Sequence, residues 1–441
     1  MSITKTIKKR LRPLTPKPLM NAFHYGEARA AQIMRRSPSE KLTVIGIVGS
    51  KGKTTTANMI WASLQASNAK AGLIGTANIR IGAVERLNPY HLTMPGAFVL
   101  QRILGEMVDA GCKYAVMEVP SEGQTQYRHV GIHFDVLVFT NVTEELMASH
   151  NFRMDILHKH NKRVFEQTAK QKRKTIGGKK VPQLIIANAD SADMAAYTNF
   201  AVDKVVSYSS KAKSDYQARD IKTKPDGTDF SVRDVAYHIN IVGPINVINA
   251  TAAIATAREL GILPGQIEQG FRDLVSIPGR MEAIDAGQNY TVYVDYAHEE
   301  AGMQALMDAA SAMRAKSAKV IVLLGAEGGG RDKKKRPIMG EIVGKVADYV
   351  VVSNVDPYDD PPMPIIEDIA VGAEKAGKKR DKDLFLIEDR RTGIRQALEL
   401  AHKGDLVFIT GKGSEQTIVI DGKSSPWDDR KVVREELKKL L

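Results

Sequence analysis

Three features of the chain predict an α/β fold built on mostly parallel sheets. Short β-branched and apolar runs alternate with helical patterns over most of its length. One such run, Thr43 to Val48, opens directly into a glycine-rich turn. The alternation then restarts beyond Ile277-Pro-Gly-Arg280. Strands separated by helices pair in parallel and need both sheet faces covered. The expected division is a short basic helical segment over 1–41, a central P-loop domain over 42–279 and a Rossmann-like C-terminal α/β domain over 280–441.

Within the first stretch, a helix is expected from Leu19 to Arg36. The central strands are Thr43–Val48, Ala71–Thr76, Lys113–Val119, His133–Asn141, Leu184–Ala189 and Lys204–Tyr208, with helices at Gly96–Ala110 and Met154–Thr168. Between Asp215 and Ile241 the pattern switches to period two, with Asp226-Gly227 as a hairpin turn. Helices follow at Asn249–Leu260 and Pro264–Leu274. The last domain has strands at Thr291–Tyr296, Val320–Gly325, Tyr349–Asn354, Leu384–Glu388 and Leu406–Thr410. Lys170 to Lys180, a basic run containing Gly177-Gly178, reads as a solvated loop.

The 441 residues are 43% hydrophobic and 26% charged, ordinary for a soluble globular protein of two or three domains. Cys112 is the sole cysteine, which excludes an internal disulfide framework and a cysteine zinc site. No stretch has the apolar length of a membrane span and no signal peptide is read, so a cytoplasmic location is expected. Of the net charge of +12, a large share lies in Met1–Lys41, where ten Lys/Arg face only Glu27 and Glu40. Lys5, Lys8, Lys9, Arg10 and Arg12 alternate with Ile3, Ile7 and Leu11. A solvated tail is the simpler reading; weak contact with an anionic membrane surface is the alternative, and nucleic-acid binding is not expected because stacking aromatics are sparse there.

The glycine turn carries the first chemistry. Gly49, Gly52 and Lys53-Thr54-Thr55-Thr56 lie where a strand meets a helix, so backbone N–H groups and a helix N-terminus point at one spot and suit a phosphate. Lys53 would neutralise the distal phosphates and the Thr54 hydroxyl would hold Mg²⁺. The usual first glycine of the pattern is replaced by Ile47, and a turn without ligand is the competing reading. Glu118 closes its strand at the edge where open α/β sheets place ligands, and can hold Mg²⁺; otherwise it is a solvent-facing strand end.

The blocks VGSKGKTT, MEVPSEG, FTNVT, GPINVINATAA, IPGRMEAID, VDYAH, GGGRDKKKRPIMG, DPYDDPP and GKGSEQT, in that order from about Lys41 to the C-terminus, resemble the Mur ligases. The similarity is to the MurE type, the UDP-N-acetylmuramyl-tripeptide synthetases. The resemblance implies an ATP-dependent amide ligase that activates a muramyl-peptide carboxylate as an acyl phosphate, in peptidoglycan precursor synthesis. By position it makes Lys53, Glu118 and Arg331 catalytic. Gly49, Gly52, Lys53, Thr54, Thr55, Asn249, Arg280 and Asp295 bind ATP, with Thr54 and Glu118 on Mg²⁺. Thr93, Ser121 and Arg128 contact the muramyl-peptide acceptor; Lys335, Asp356, Tyr358, Gly411 and Glu415 lie around the incoming amino acid. A monomer acting on small molecules is implied.

Three departures accompany the resemblance. After FTN-x-T the family has a metal-binding histidine where this chain has Glu145-Leu146, and a carbamylated lysine where it has Asn161, with Lys162 beside it. His150, His158 and His160 are candidate replacements. The arginine of Asp-Asn-Pro-Arg, used for diaminopimelate, is replaced by Tyr358, while Asp356, Asp359 and Asp360 suit an amine-bearing side chain such as lysine. The segment before Thr43 is shorter than the domain that grips uridine in the family. Two alternatives stand beside the ligase: a folylpolyglutamate-synthetase-like amide ligase, and a nucleotide-binding pseudoenzyme.

Overall fold

The computed structural model describes residues 16–90, 92–143, 150, 153–224 and 226–441. These divide into two compact units. The first comprises the chain up to Lys53 with Asn68–Glu85 and Leu92–Ser207; the second comprises Thr54–Ser67, Arg86–His91 and Tyr208–Leu441. Leu146, with its neighbour Glu145, lies outside the described residues.

In the first unit, helix α1 (Lys17–Met34) precedes strand β1 (Thr43–Val48) and the glycine turn; the helix that follows the turn, α2 (Lys53–Ala66), belongs from Thr54 onward to the second unit. Next come β2 (Ala71–Ile74), β3 (Asn78–Ile81), β4 (Val84–Leu87), α3 (Ala97–Asp109), β5 (Tyr114–Val119), α4 (Ser121–Thr125), β6 (Val136–Phe139), α5 (Met154–Lys170), the small hairpin β7 (Thr175–Ile176) and β8 (Lys179–Lys180), β9 (Leu184–Asn188), α6 (Met194–Thr198) and β10 (Lys204–Ser209). The strands lie in the order β9-β6-β1-β5-β2-β3, parallel except for β3. β1, β5 and β6 read as near-continuous apolar runs because both their faces are covered. Helix α1 packs through Ala28 and Ala31 against Ala97 of α3 and Val130, small side chains that let the helices approach closely.

In the second unit, β11 (Tyr216–Lys224), β12 (Gly227–Val232) and β13 (Val235–Ile239) form the antiparallel piece. Arg233 and Asp234, at φ 51° and 62°, make the tight turn between β12 and β13. Helices α7 (Pro244–Glu259) and α8 (Pro264–Asp273) follow. A second sheet is built from β14 (Glu282–Ile284), β15 (Thr291–Asp295), β16 (Val320–Leu324), β17 (Tyr349–Val352), β18 (Leu384–Leu386) and β19 (Leu406–Thr410), in the order β14-β15-β19-β16-β17-β18. Only β14 is antiparallel.

Its strands show the two-residue period directly. Val320, Val322, Leu324 and Phe408 join one buried cluster with α9 (Glu300–Met313), α10 (Lys335–Val346) and α11 (Pro362–Lys375). Ile321, Leu323, Val407 and Ile409 join the other with α12 (Arg390–Glu399) and α13 (Asp429–Leu440). A hairpin, β20 (Thr417–Ile420) with β21 (Lys423–Pro426), projects before α13.

Two expectations need correction. Helix α7 starts at Pro244 rather than Asn249, because proline at the first position pre-sets φ and Gly243, at φ 110°, makes the entry turn. Lys170–Lys180 is not a solvated loop. Gly177 and Gly178 turn a two-stranded hairpin, and Lys174 is buried at 4% exposure. Among the described residues no helix is long and apolar enough to cross a membrane.

Candidate active site

β1 delivers the chain into the glycine turn and α2 carries it away. Gly49 sits at φ 141°, where a Cβ would collide with Thr140 Oγ1 and the backbone of Asn141, so only glycine fits. The turn is braced from the end of β6. The Ser50 N–H donates to the Asn141 carbonyl at 2.9 Å, the Lys51 N–H to Asn141 Oδ1 at 2.9 Å, and Thr140 Oγ1 donates to the Lys51 carbonyl at 2.8 Å. Lys53 Nζ folds over the turn onto the carbonyls of Gly49 and Ser50, at 2.7 and 2.8 Å. Gly52 has φ 83°, as a turn into a helix requires.

Glu118 is 1% exposed, which removes the solvent-facing reading. Its Oε1 accepts from the Thr76 N–H at 2.7 Å and its Oε2 from Thr76 Oγ1 at 2.9 Å. Thr76 Oγ1 also lies 3.0 Å from Thr93 Oγ1, so Thr93 joins the group around the carboxylate. Arg128 donates to the Met94 carbonyl and, at 2.5 Å, to Gln126 Oε1. Ser121 opens α4, and its carbonyl accepts from Thr125 Oγ1 at 3.0 Å.

The histidines beside α4 and α5 are spent largely on the interior. His150 and His160 are buried with ring centroids 5.4 Å apart, and His160 Nδ1 pairs with Thr125 Oγ1 at 2.7 Å. His158 bonds Tyr197 instead. Asn161 is 1% exposed and accepts from Gln124 Nε2 at 3.4 Å, while the Lys162 ammonium lies over the Tyr197 ring. Among the described residues no group of three or more His, Cys, Asp or Glu is placed to hold a metal.

Burial, then repulsion from Arg163, lowers the His160 pKa from 6.5 to about 4. Below pH 6.5 the unfolded chain takes up a proton that the folded chain refuses until about pH 4. Stability is therefore expected to fall as pH drops through that window, at up to about 1.4 kcal/mol per pH unit. Thermal melting of the wild type and His160→Gln across this range checks it: the variant should show the shallower slope, and equal slopes would refute the assignment.

In the second unit, Thr54 is 4% exposed and its Oγ1 accepts from Arg280 Nη2 at 3.3 Å. Thr55 is buried beside it. Asn249 Oδ1, on α7, accepts from Thr56 Oγ1 at 3.5 Å, so the predicted adenine contact lies against α2. The Arg280 guanidinium stacks 4.4 Å above the Tyr296 ring. Asp295 accepts the N–H groups of Met281 and Ala297, at 2.8 and 2.7 Å, tying the Ile277–Arg280 turn to the end of β15. Gly411, at φ 109°, follows β19 and donates its N–H to the Asp295 carbonyl.

The amino-acid side of the prediction resolves into two clusters. Lys412, wholly buried, donates to Asp356 Oδ2 at 2.8 Å and Glu415 Oε2 at 2.7 Å. Tyr296 OH donates to Glu415 Oε1 at 3.2 Å. Burial alone would lower the Lys412 pKa, but Glu415 and Asp356 outweigh it and raise it, so the lysine stays charged. In the second cluster Lys335 donates to Glu327 Oε2 and the His298 carbonyl, and Arg331 hydrogen-bonds Tyr358. Burial opposes ionisation of Glu327, yet His298, Lys335 and Arg331 bring its pKa down to about 2.

Asp356 is not an open acidic group as expected, since its Oδ1 accepts the Val419 N–H at 2.7 Å and Lys412 takes the other oxygen. Asp360 Oδ2 likewise accepts the Gly329 N–H. Sequence reasoning gave no role to Tyr296, Glu327 or Lys412. A lysine between two glycines, Gly411-Lys412-Gly413, followed by Glu415, was the available signal for the last of these.

Residues 47–257 match the Mur ligase middle domain and residues 279–413 the Mur ligase glutamate ligase domain. The UDP-N-acetylmuramoyl-L-alanyl-D-glutamate–2,6-diaminopimelate ligase of Caldanaerobacter subterraneus subsp. tengcongensis is 34% identical over 93% of this chain and 81% of its own length. The UDP-N-acetylmuramyl-tripeptide synthetase of a Roseiflexus species is 33% identical over 91% of this chain and 80% of its own. Among solved structures, the Mycobacterium tuberculosis folylpolyglutamate synthase superposes with a TM-score of 0.68 at 17% identity, over 94% of this chain and 95% of that one; the likeness is of fold. Two matched domains and two such relatives lead to one conclusion: the chain belongs to the Mur ligase family.

Proposed function

We propose that the chain is a MurE-like, ATP-dependent amide ligase that adds an amino acid to a muramyl-peptide carboxylate in peptidoglycan precursor synthesis. The observation that carries the site is the bond from Arg280 to Thr54 Oγ1. Two residues assigned to the same nucleotide, 226 positions apart, meet at the start of the P-loop helix. The functional division follows 1–41, 42–279 and 280–441, the last two close to the matched family domains.

The acceptor carboxylate oxygen attacks the γ-phosphorus of ATP, the bond to the β-phosphate oxygen breaks, and ADP leaves an acyl phosphate. The neutral amine of the incoming amino acid then attacks the acyl carbon; phosphate leaves and the amine proton passes to solvent. Little covalent work falls to the protein, which positions and neutralises. The Lys53 ammonium serves the transferring phosphoryl group, with the turn from Gly49 to Gly52 and the start of α2 at Thr54 and Thr55 holding phosphates. Asn249 takes the adenine; Arg280 and Asp295 complete nucleotide binding.

Mg²⁺ fits the donor set. Thr54 offers a hydroxyl oxygen and Glu118 a buried carboxylate, the hard oxygen donors that this ion takes. Those two residues would hold the ion, which would neutralise phosphate charge. Thr93, Ser121 and Arg128 face the acceptor, while Gly411 and Glu415 orient the amino acid, with Arg331, Lys335 and Tyr358 beside them. Asp356 acts through Lys412.

A second reading, a nucleotide-binding pseudoenzyme, has one observation in its favour: Asn161, at the family's carbamylated-lysine position, is buried and hydrogen-bonded. One assay separates the two. ATP, UDP-N-acetylmuramoyl-dipeptide and a panel holding L-lysine and meso-2,6-diaminopimelate should release ADP with formation of the tripeptide product. Tight ATP binding with no turnover on any member would support the pseudoenzyme.

A further inference from the structure

The second unit contains a continuous line of contacts from the P-loop threonine to the loop after β19. Thr54 Oγ1 accepts from Arg280, whose guanidinium covers the Tyr296 ring. Tyr296 OH holds one oxygen of Glu415, and Lys412 holds the other together with Asp356. Asp356 is in turn pinned by the Val419 N–H of β20. Every link is a directional bond or a ring stack, and Lys412, at 0% exposure, has no water to replace a lost partner.

We propose that Tyr296 and Lys412 are positioning residues that couple nucleotide occupancy at Thr54 to the setting of Glu415, so that nucleotide and incoming amino acid bind cooperatively. The inference rests on the ligase reading and on the assignment of Glu415 to the amino acid. Its switching element is the Arg280 guanidinium. Phosphate oxygens at the P-loop offer that guanidinium a stronger, charge-assisted acceptor than a neutral hydroxyl, so it has two positions, on Thr54 or on the nucleotide. Its stack on Tyr296 differs between them, and with it the angle at which the Tyr296 hydroxyl meets Glu415. Lys412 supplies the fixed end: with Asp356 anchored to β20, Glu415 can rotate about one held oxygen rather than swing free. Coupling of this kind is reciprocal, so the amino acid must tighten nucleotide by the same factor.

The test uses the full chain, the β,γ-methylene analogue of ATP, and whichever of L-lysine or meso-2,6-diaminopimelate supports wild-type turnover. Calorimetry gives the amino-acid dissociation constant with and without saturating analogue. In the wild type the ratio should be about fivefold or more. Tyr296→Phe keeps the ring under Arg280 and deletes only the bond to Glu415; its ratio should fall below about twofold while analogue affinity stays within about threefold of wild type. Lys412→Met should raise the amino-acid KM by about tenfold or more with a much smaller change for ATP, and Lys412→Arg should recover part of that loss.

An equal ratio in the wild type and Tyr296→Phe would overturn the coupling. So would a Lys412→Met variant whose KM values for ATP and amino acid rise together. Absence of wild-type turnover with every amino acid counts against the ligase reading itself; turnover with an unchanged ratio counts against the relay alone.

Discussion

Replacing Lys53 with alanine is expected to lower the rate of ATP-dependent ligation by about a thousandfold or more, the scale seen when one preorganised charge is removed from a phosphoryl-transfer site. The ammonium rests on the Gly49 and Ser50 carbonyls, at 2.7 and 2.8 Å. It is thus already held over the mouth of the turn, and nucleotide phosphates compete for it with stronger, charged acceptors. The turn does not depend on it, because Thr140 and Asn141 brace Ser50 and Lys51 separately. Loss of rate should therefore come with a melting temperature within a few degrees of wild type. Steady-state ADP release, read beside thermal melting, checks both halves. A variant within about threefold of the wild-type rate would remove the P-loop assignment, whatever its stability.

How far the sequence could be read depended on whether a feature was local. β19 was legible to the residue, Leu406 to Thr410, because a fully buried parallel strand is a bare apolar run between turn signals. β3 and β4 were not, because Asn-Ile-Arg-Ile and Val-Glu-Arg-Leu mix charge into short strands at the sheet edge, where one side stays wet. The glycine turn showed in the sequence as a motif, since its backbone demands act within six residues. The brace from Thr140 and Asn141 did not, although FTNVT marked the place. Lys412 and Asp356 are 56 positions apart, and no local pattern states that two charges at that separation share one interior site. The acidic run after Val355 therefore read as an open recognition surface, while two of its carboxylates were already spent on Lys412, Val419 and Gly329.

Lys174 is the sharpest case, and its removal carries the largest expected loss of stability. Within a basic run the eye gives every lysine to solvent, yet its ammonium lies 2.5 Å from Asp135 Oδ2, with both side chains at 1% exposure. It also donates to the carbonyls of Ser39, Leu42 and His133, at 2.9, 2.6 and 3.0 Å. One ammonium so joins the segment entering β1 to the strand β6 and to the hairpin that follows α5. Burial pushes the Lys174 pKa down and the Asp135 pKa up, and each partner offsets part of the other's shift. Such a pair adds little over an apolar substitute, but losing one member leaves a buried charge and orphaned carbonyls. Lys174→Met is accordingly expected to cost about 3–5 kcal/mol in urea unfolding. Adding Asp135→Asn should restore part of it, because the amide oxygen still accepts the Val44 N–H, now bonded at 2.7 Å, without a charge to compensate. A single-variant loss below about 1 kcal/mol would return Lys174 to the solvated surface that its neighbours suggested.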